Sequence, residues 1–139
     1  MVPTEVETII NNKDMNSFRN LNAYIKAKEL VSKIYTLLKK FPKEEQYALC
    51  DQLRRAVISI PSNIAEGSGR TTPKDQAHFL NIAYGSLMEL YAQLDIALDL
   101  GYLSENEFIK IETQIDEIDK MIVALSFIRK QTSSNGNNK

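Results

Sequence analysis

With 139 residues, 43% of them hydrophobic and 25% charged, the chain has the composition of one ordinary globular domain, and a net charge of −1 argues against a strongly polybasic or polyacidic binder. No apolar run approaches the roughly twenty residues of a membrane span, so no membrane partner is expected. Cys50 and His78 are the only residues of their kinds, which excludes an intrachain disulfide and a Cys/His zinc cluster.

The start, MVPTEVETIINNKD, is polar and has no basic stretch leading into an apolar one. It reads as cytoplasmic, with residues 1–17 mostly disordered. The first helix is expected after Asn20 as N-cap, because Tyr24, Ala27, Val31, Ile34, Leu38 and Phe41 alternate intervals of three and four. Pro42 ends it and suits the first turn of a second helix, with Glu44 and Glu45 at the positive end of its dipole. Leu49, Leu53, Ala56, Ile60 and Ile64 form the second stripe, closed by Gly67 and Gly69. The third helix opens at TTPKD, with Thr72 as N-cap, Pro73 at the first helical position and Asp75 completing a variant capping box. Its seam is Leu80, Ala83, Leu87, Leu90, Leu94 and Ala97, and Gly101 stops it. The fourth begins with a capping box, Ser104 to Glu107, and carries the most regular repeat: Phe108, Ile111, Ile115, Ile118, Ile122 and Leu125. After Gln131 the polar tail, residues 132–139, has nothing to bury and is expected to be disordered.

Four amphipathic helices with short connections predict an all-α fold, an up-down-up-down antiparallel four-helix bundle over residues 18–131. Within the second helix, RRAVISIPSNIAEGSGR embeds Pro61 in an apolar seam. The proline removes the N–H that would reach the Val57 carbonyl, and Ser62 or Asn63 is expected to repair that gap. Arg55, Ser59, Asn63, Glu66 and Arg70 share one face, and folding back at residues 67–72 predicts an ion pair between Arg54 or Arg55 and Glu89. Two readings of this stripe stay open. It is an interhelix hydrogen-bond network, or it contacts a ligand or nucleic acid.

The same stretch, followed by FLNIAYGSLMELYAQLDIALDLGYLSENE and preceded by AYIKAKELVSKIYTLLKKFPKEEQYALCDQ, resembles the four-helix-bundle family of 23S rRNA intervening-sequence proteins, related to the accessory variability determinant of diversity-generating retroelements. The resemblance covers residues 18–130 and implies a four-helix bundle, rings of five in some members, and, for the retroelement branch, binding of nucleic acid and a reverse transcriptase. It brings no catalytic residues. It marks Arg54, Arg55, Ser59, Pro61, Asn63, Glu66, Gly67, Arg70, Gly85 and Glu89 as motif positions. Members of the retroelement branch resemble strongly basic binders, whereas this chain has a pI near 5.9, which weakens a phosphate-neutralising role.

Catalysis finds no foothold. His78 has no nucleophile paired with it by any motif, and Cys50 reads as a small core residue. The carboxylates Glu112, Asp116, Glu117 and Asp119 lack the Glu-x-x-His companion of a carboxylate metal site, and EGSGR joins two helices instead of following a strand. No cofactor or metal is expected. Tyr84, Met88, Tyr91 and Leu98 form a second apolar stripe on the third helix, either broad core contact or subunit interface.

Two functional readings follow. The first is a non-catalytic homo-oligomeric scaffold or adaptor with a protein or ribonucleoprotein partner. The second is an RNA- or DNA-binding accessory protein using Arg54, Arg55, Arg70, Lys74 and the lysines of the first helix. Charge is unevenly divided. Residues 1–74 hold twelve Lys/Arg against eight Asp/Glu, and residues 75–139 hold five against ten. A basic and an acidic flank on one molecule predict a head-to-tail contact that closes into a ring when the rotation permits. The resemblance sets the number of subunits at five.

Overall fold

The computed structural model describes the backbone of residues 17–137 and the side chains of residues 17–127. The disordered N-terminal segment expected over residues 1–17 therefore lies outside the described residues except for Ser17, which opens a short 3₁₀ turn, Ser17–Asn20. Four helices follow: α1 Asn22–Leu38, α2 Leu49–Ser68, α3 Pro73–Asp99 and α4 Glu105–Asn137. No strand occurs among the described residues. Each helix packs on its sequence neighbours, and α1 closes on α4, so the chain is an up-down-up-down four-helix bundle.

The start of α1 differs from expectation. Asn20 belongs to the preceding turn, and Leu21 occupies the cap without a side-chain hydrogen bond. Leu21 packs against the core while its carbonyl accepts the N–H of Ile25 at 3.0 Å, so apolar anchoring replaces a polar cap. The buried arc comprises Ala23, Ala27, Leu30, Ile34, Leu37 and Leu38, continued by Phe41 just beyond the helix. Tyr24 and Val31 sit on its flank toward α2, because a straight helix drifts against a strict seven-residue repeat.

Pro42 does end α1, yet α2 begins at Leu49 and not at the proline. Residues Lys43–Glu45 form a 3₁₀ turn, and Ala48 has a non-helical backbone. The segment serves α1 instead. Gln46 Nε2 donates to the Leu38 carbonyl at 2.9 Å and the Phe41 carbonyl at 3.2 Å, filling acceptors that a helix end leaves open.

The α2 and α3 seams bury as the spacing predicts, with Leu49 alone only half-buried, and Cys50, Val57 and Pro61 join the core. Thr72 Oγ1 accepts the N–H of Asp75 at 3.1 Å, and Pro73 opens α3. At the other end, Gly101 takes φ +78° while Tyr102 N–H reaches Ala97 O and Gly101 N–H reaches Leu98 O, both at 3.0 Å. This paired bonding requires a left-handed residue at Gly101, where glycine carries no Cβ penalty. Ser104 and Glu107 exchange the reciprocal bonds of a capping box, at 2.9 and 3.2 Å. Ile111, Ile115, Ile118 and Ile122 are buried along α4. Past Gln131, where composition ends the bundle, the α4 backbone remains helical through Asn137.

Candidate functional site

The polar stripe of α2 divides into separate clusters. At its centre Ser59 Oγ meets Ser86 Oγ of α3 at 2.8 Å, and Asn63 Nδ2 donates to Ser59 O at 2.8 Å and to Ser59 Oγ at 2.9 Å. Small hydroxyls let α2 and α3 approach while keeping their polar atoms paired. Gly67 marks a second close approach: a Cβ there would stand 3.2 Å from both the Gln76 carbonyl oxygen and Phe79 Cβ. Ser62 Oγ bonds the Ile58 carbonyl at 2.8 Å. Ser62 and Asn63 therefore serve the carbonyls of Ile58 and Ser59, not that of Val57 as expected, because each side chain reaches back one turn along its own side of the helix.

The expected ion pair to Glu89 is absent among the described residues. Arg54 turns toward the end of α1, donating to the Gln46 carbonyl at 3.0 Å, to Gln46 Oε1 at 2.6 Å and to Asp51 at 3.1 Å. Those acceptors exist because residues 43–48 are not helical and leave the Gln46 carbonyl free. Arg55 is exposed and makes no salt bridge among the described residues, while Glu89 accepts from Gln93 Nε2 at 3.1 Å. Glu66 pairs with Arg70, whose guanidinium lies 4.6 Å over the Phe79 ring, and the Arg70 carbonyl accepts Gln76 Nε2 at 2.8 Å. Lys74 is exposed at the start of α3. Arg54 thus sits at one end of α2, and Arg70 with Lys74 at the other.

Sequence reasoning missed Ser86 and Gln93, which are buried on the α2 side of α3. Their seven-residue separation beside the Leu80–Leu94 seam was the available signal. Gln93 Oε1 is buried with no hydrogen-bond partner among the described residues, a cost of about 1–3 kcal/mol.

Two grooves flank the bundle on different sides. Between α1 and α2, Phe18, Tyr24, Lys28, Val31, Ile58 and Pro61 line a groove of about 460 Å³. Between α3 and α4, one of about 460 Å³ has a floor of Met88, Tyr91 and Ile115 and a rim of Glu112, Asp116 and Asp119. Tyr91 donates its hydroxyl to Glu112, and this bond to a carboxylate raises the phenol's pKa. Asp116 is joined to Lys120 at 3.0 Å, and Glu117 to Lys26 at 3.8 Å. Among the described residues no three His, Cys, Asp or Glu side chains are placed to hold a metal ion. Burial pushes the Cys50 thiol up, away from the thiolate a nucleophile requires. His78 is exposed, its ring edge-on to Phe79.

A model of the 23S rRNA-intervening sequence protein family matches residues 19–124. The chain belongs to that family. The chain is also similar to the crystal structure of a protein of unknown function from the S23 ribosomal protein family of Bacteroides thetaiotaomicron. The TM-score is 0.68 and the identity 22%, over 75% of this chain and 97% of the other, a likeness of fold. No curated protein matches significantly. Among the described residues, no helix of this family member is long and apolar enough to cross a membrane.

Proposed function

We propose that the protein is a non-catalytic homo-oligomeric scaffold or adaptor acting with a protein or ribonucleoprotein partner. The observation that supports this reading is the pair of unlike grooves on one bundle. The α3/α4 groove is apolar at its floor and acidic at its rim, and Tyr84, on the same face one turn before Met88, is 40% exposed. The α1/α2 groove carries Lys28 above apolar residues, and Ile58 is 43% exposed beside it. Apolar surface left in grooves of opposite charge is what an assembly of repeated copies covers.

The nucleic-acid reading depends on Arg54, Arg55, Arg70 and Lys74 acting together. Arg54 and Arg70 already hold carboxylates, and Arg54 lies in the second turn of α2 whereas Arg70 follows the other end of that helix, about four turns away. That separation supports the scaffold over a single phosphate-binding patch.

Light scattering in moderate salt tests the proposal. A closed assembly, near five times the 15.8 kDa chain mass if the family resemblance sets the ring size, is the expected species. A monomer at all accessible concentrations would contradict it. Titration with structured RNA and with single-stranded and duplex DNA separates the readings, since a steep loss of affinity with salt would favour the accessory binder.

A further inference from the structure

Tyr24, Lys28, Tyr35 and Lys39 recur at intervals of four, seven and four, which places them on the side of α1 that borders the α1/α2 groove. Tyr35 is 41% exposed, and Ile58 of α2, 43% exposed, lines the groove together with Tyr24 and Lys28. Lys28 lies 5.6 Å from the Tyr24 ring centre. Neither Lys28 nor Lys39 has a carboxylate within salt-bridge reach among the described residues. Lys26 near the start of α1 and Lys40 just past its end face α4 and are tied to Glu117 and Glu107, while Lys33, seven residues after Lys26, is exposed and, like Lys28 and Lys39, is in no ion pair among the described residues. The face toward α2 therefore keeps its positive charge and its apolar surface uncompensated.

The α3/α4 groove is its opposite in charge and its like in apolar content. Three carboxylates, Glu112, Asp116 and Asp119, border it, and Asp95 continues the acidic edge one turn beyond Tyr91. Lys120 answers only Asp116. Val123, one turn beyond Asp119, is 56% exposed and extends the apolar strip. The two grooves lie on different sides of the bundle, because α1 and α2 form one pair of neighbours and α3 and α4 the other. One copy cannot close its own basic face on its own acidic groove, whereas a second copy can.

We propose that copies of this chain join head to tail, the Lys28/Tyr35/Lys39 face of one docking into the Met88/Tyr91 groove of the next, with its lysines against Asp116 and Asp119. This rests on the oligomeric reading above and names its surfaces. The contact uses two different patches, so each copy offers a free basic face and a free acidic groove until a ring closes. Apolar burial at Tyr35, Ile58, Met88 and Tyr91 supplies affinity, and the charges fix the register.

Two charge-reversed variants test the pairing: Lys28→Glu with Lys39→Glu, and Asp116→Lys with Asp119→Lys. Each alone places like charges across the contact. Self-association measured by analytical ultracentrifugation is expected to weaken about a hundredfold or more in each, with the circular dichroism of the bundle unchanged. Mixed in equal amounts, the two variants present complementary faces and form mixed species that neither forms alone; alternation closes only an even ring, so the readout is association between the variants and not recovery of a ring of five. A milder pair, Lys28→Gln with Lys39→Gln, weakens association less than the reversal and guards against misfolding as the cause. If the wild-type chain is a monomer, the oligomeric reading itself falls. If it assembles and both reversed variants assemble equally well, or the mixture forms no species joining the two variants, the oligomer stands and these surfaces are overturned.

Discussion

Two glycines in helical segments give the sharpest test of how α2 meets α3. Gly67 lies in α2 where a Cβ would stand 3.2 Å from the Gln76 carbonyl oxygen and from Phe79 Cβ, whereas nothing stands within 4 Å of a Cβ at Gly85 in α3. Replacing glycine by alanine inside a helix gains about 0.8–1 kcal/mol from backbone propensity alone. Gly85→Ala receives that gain undiminished. Gly67→Ala receives it too, but backbone atoms of α3 must then move by a few tenths of an ångström, and overpacking of this kind costs about 1–3 kcal/mol. Propensity is common to both sites and cancels in their difference, so the alanine variants should differ by about 1–3 kcal/mol, with Gly85→Ala the more stable. Urea unfolding followed by far-ultraviolet circular dichroism, at one fixed protein concentration, reads this as a shift in midpoint at constant slope. If Gly67→Ala proved as stabilising as Gly85→Ala, the close approach at residue 67 would be refuted.

Lys40 and the Ser104 N–H hold the Glu107 carboxyl down at about 2, against an ordinary 4.5. Its stabilising contribution is therefore complete above pH 4.5 and lost as pH falls toward 2. In Glu107→Gln the acid limb between those values flattens, by less than about 1 kcal/mol because the pair is solvent-exposed, as pH-dependent melting will show. Gln93→Leu removes a buried acceptor with no partner and should raise the unfolding free energy by about 1 kcal/mol, despite losing the bond to Glu89; a loss of stability in urea would contradict the account of that seam. Leu90→Ala, at a fully buried position, should cost about 2–5 kcal/mol by the same assay. Gly101→Ala forces a side chain into φ +78° and should cost about 1–2 kcal/mol, seen as a lower melting temperature.

The architecture was legible because each signal depends only on neighbours in sequence. Thr72, the Ser104–Glu107 pair and Gly101 act within one turn of their own helix, and each holds the expected hydrogen bonds or dihedral. The isoleucines of α4 needed only their spacing. The start of α2 was not legible, since residues 43–48 are recruited to the end of α1 by Gln46, whose side chain reaches back to the carbonyls of Leu38 and Phe41, a contact that helical spacing does not signal. The same event redirected Arg54 from Glu89 to Gln46 and Asp51. Long side chains choose partners by reach in three dimensions, and helical spacing specifies a face without specifying its acceptor. Ser86 escaped notice because its only periodic signal is the seven-residue spacing to Gln93, which polar side chains on a solvent face would share, and its role appears only against Ser59.

Native mass spectrometry of the wild-type chain at moderate ionic strength tests the central claim most directly. The scaffold reading predicts a discrete closed assembly of more than two chains, at five if the family resemblance holds for this member, dissociating as salt is raised. Monomer alone, or a two-fold dimer that salt leaves intact, would contradict it.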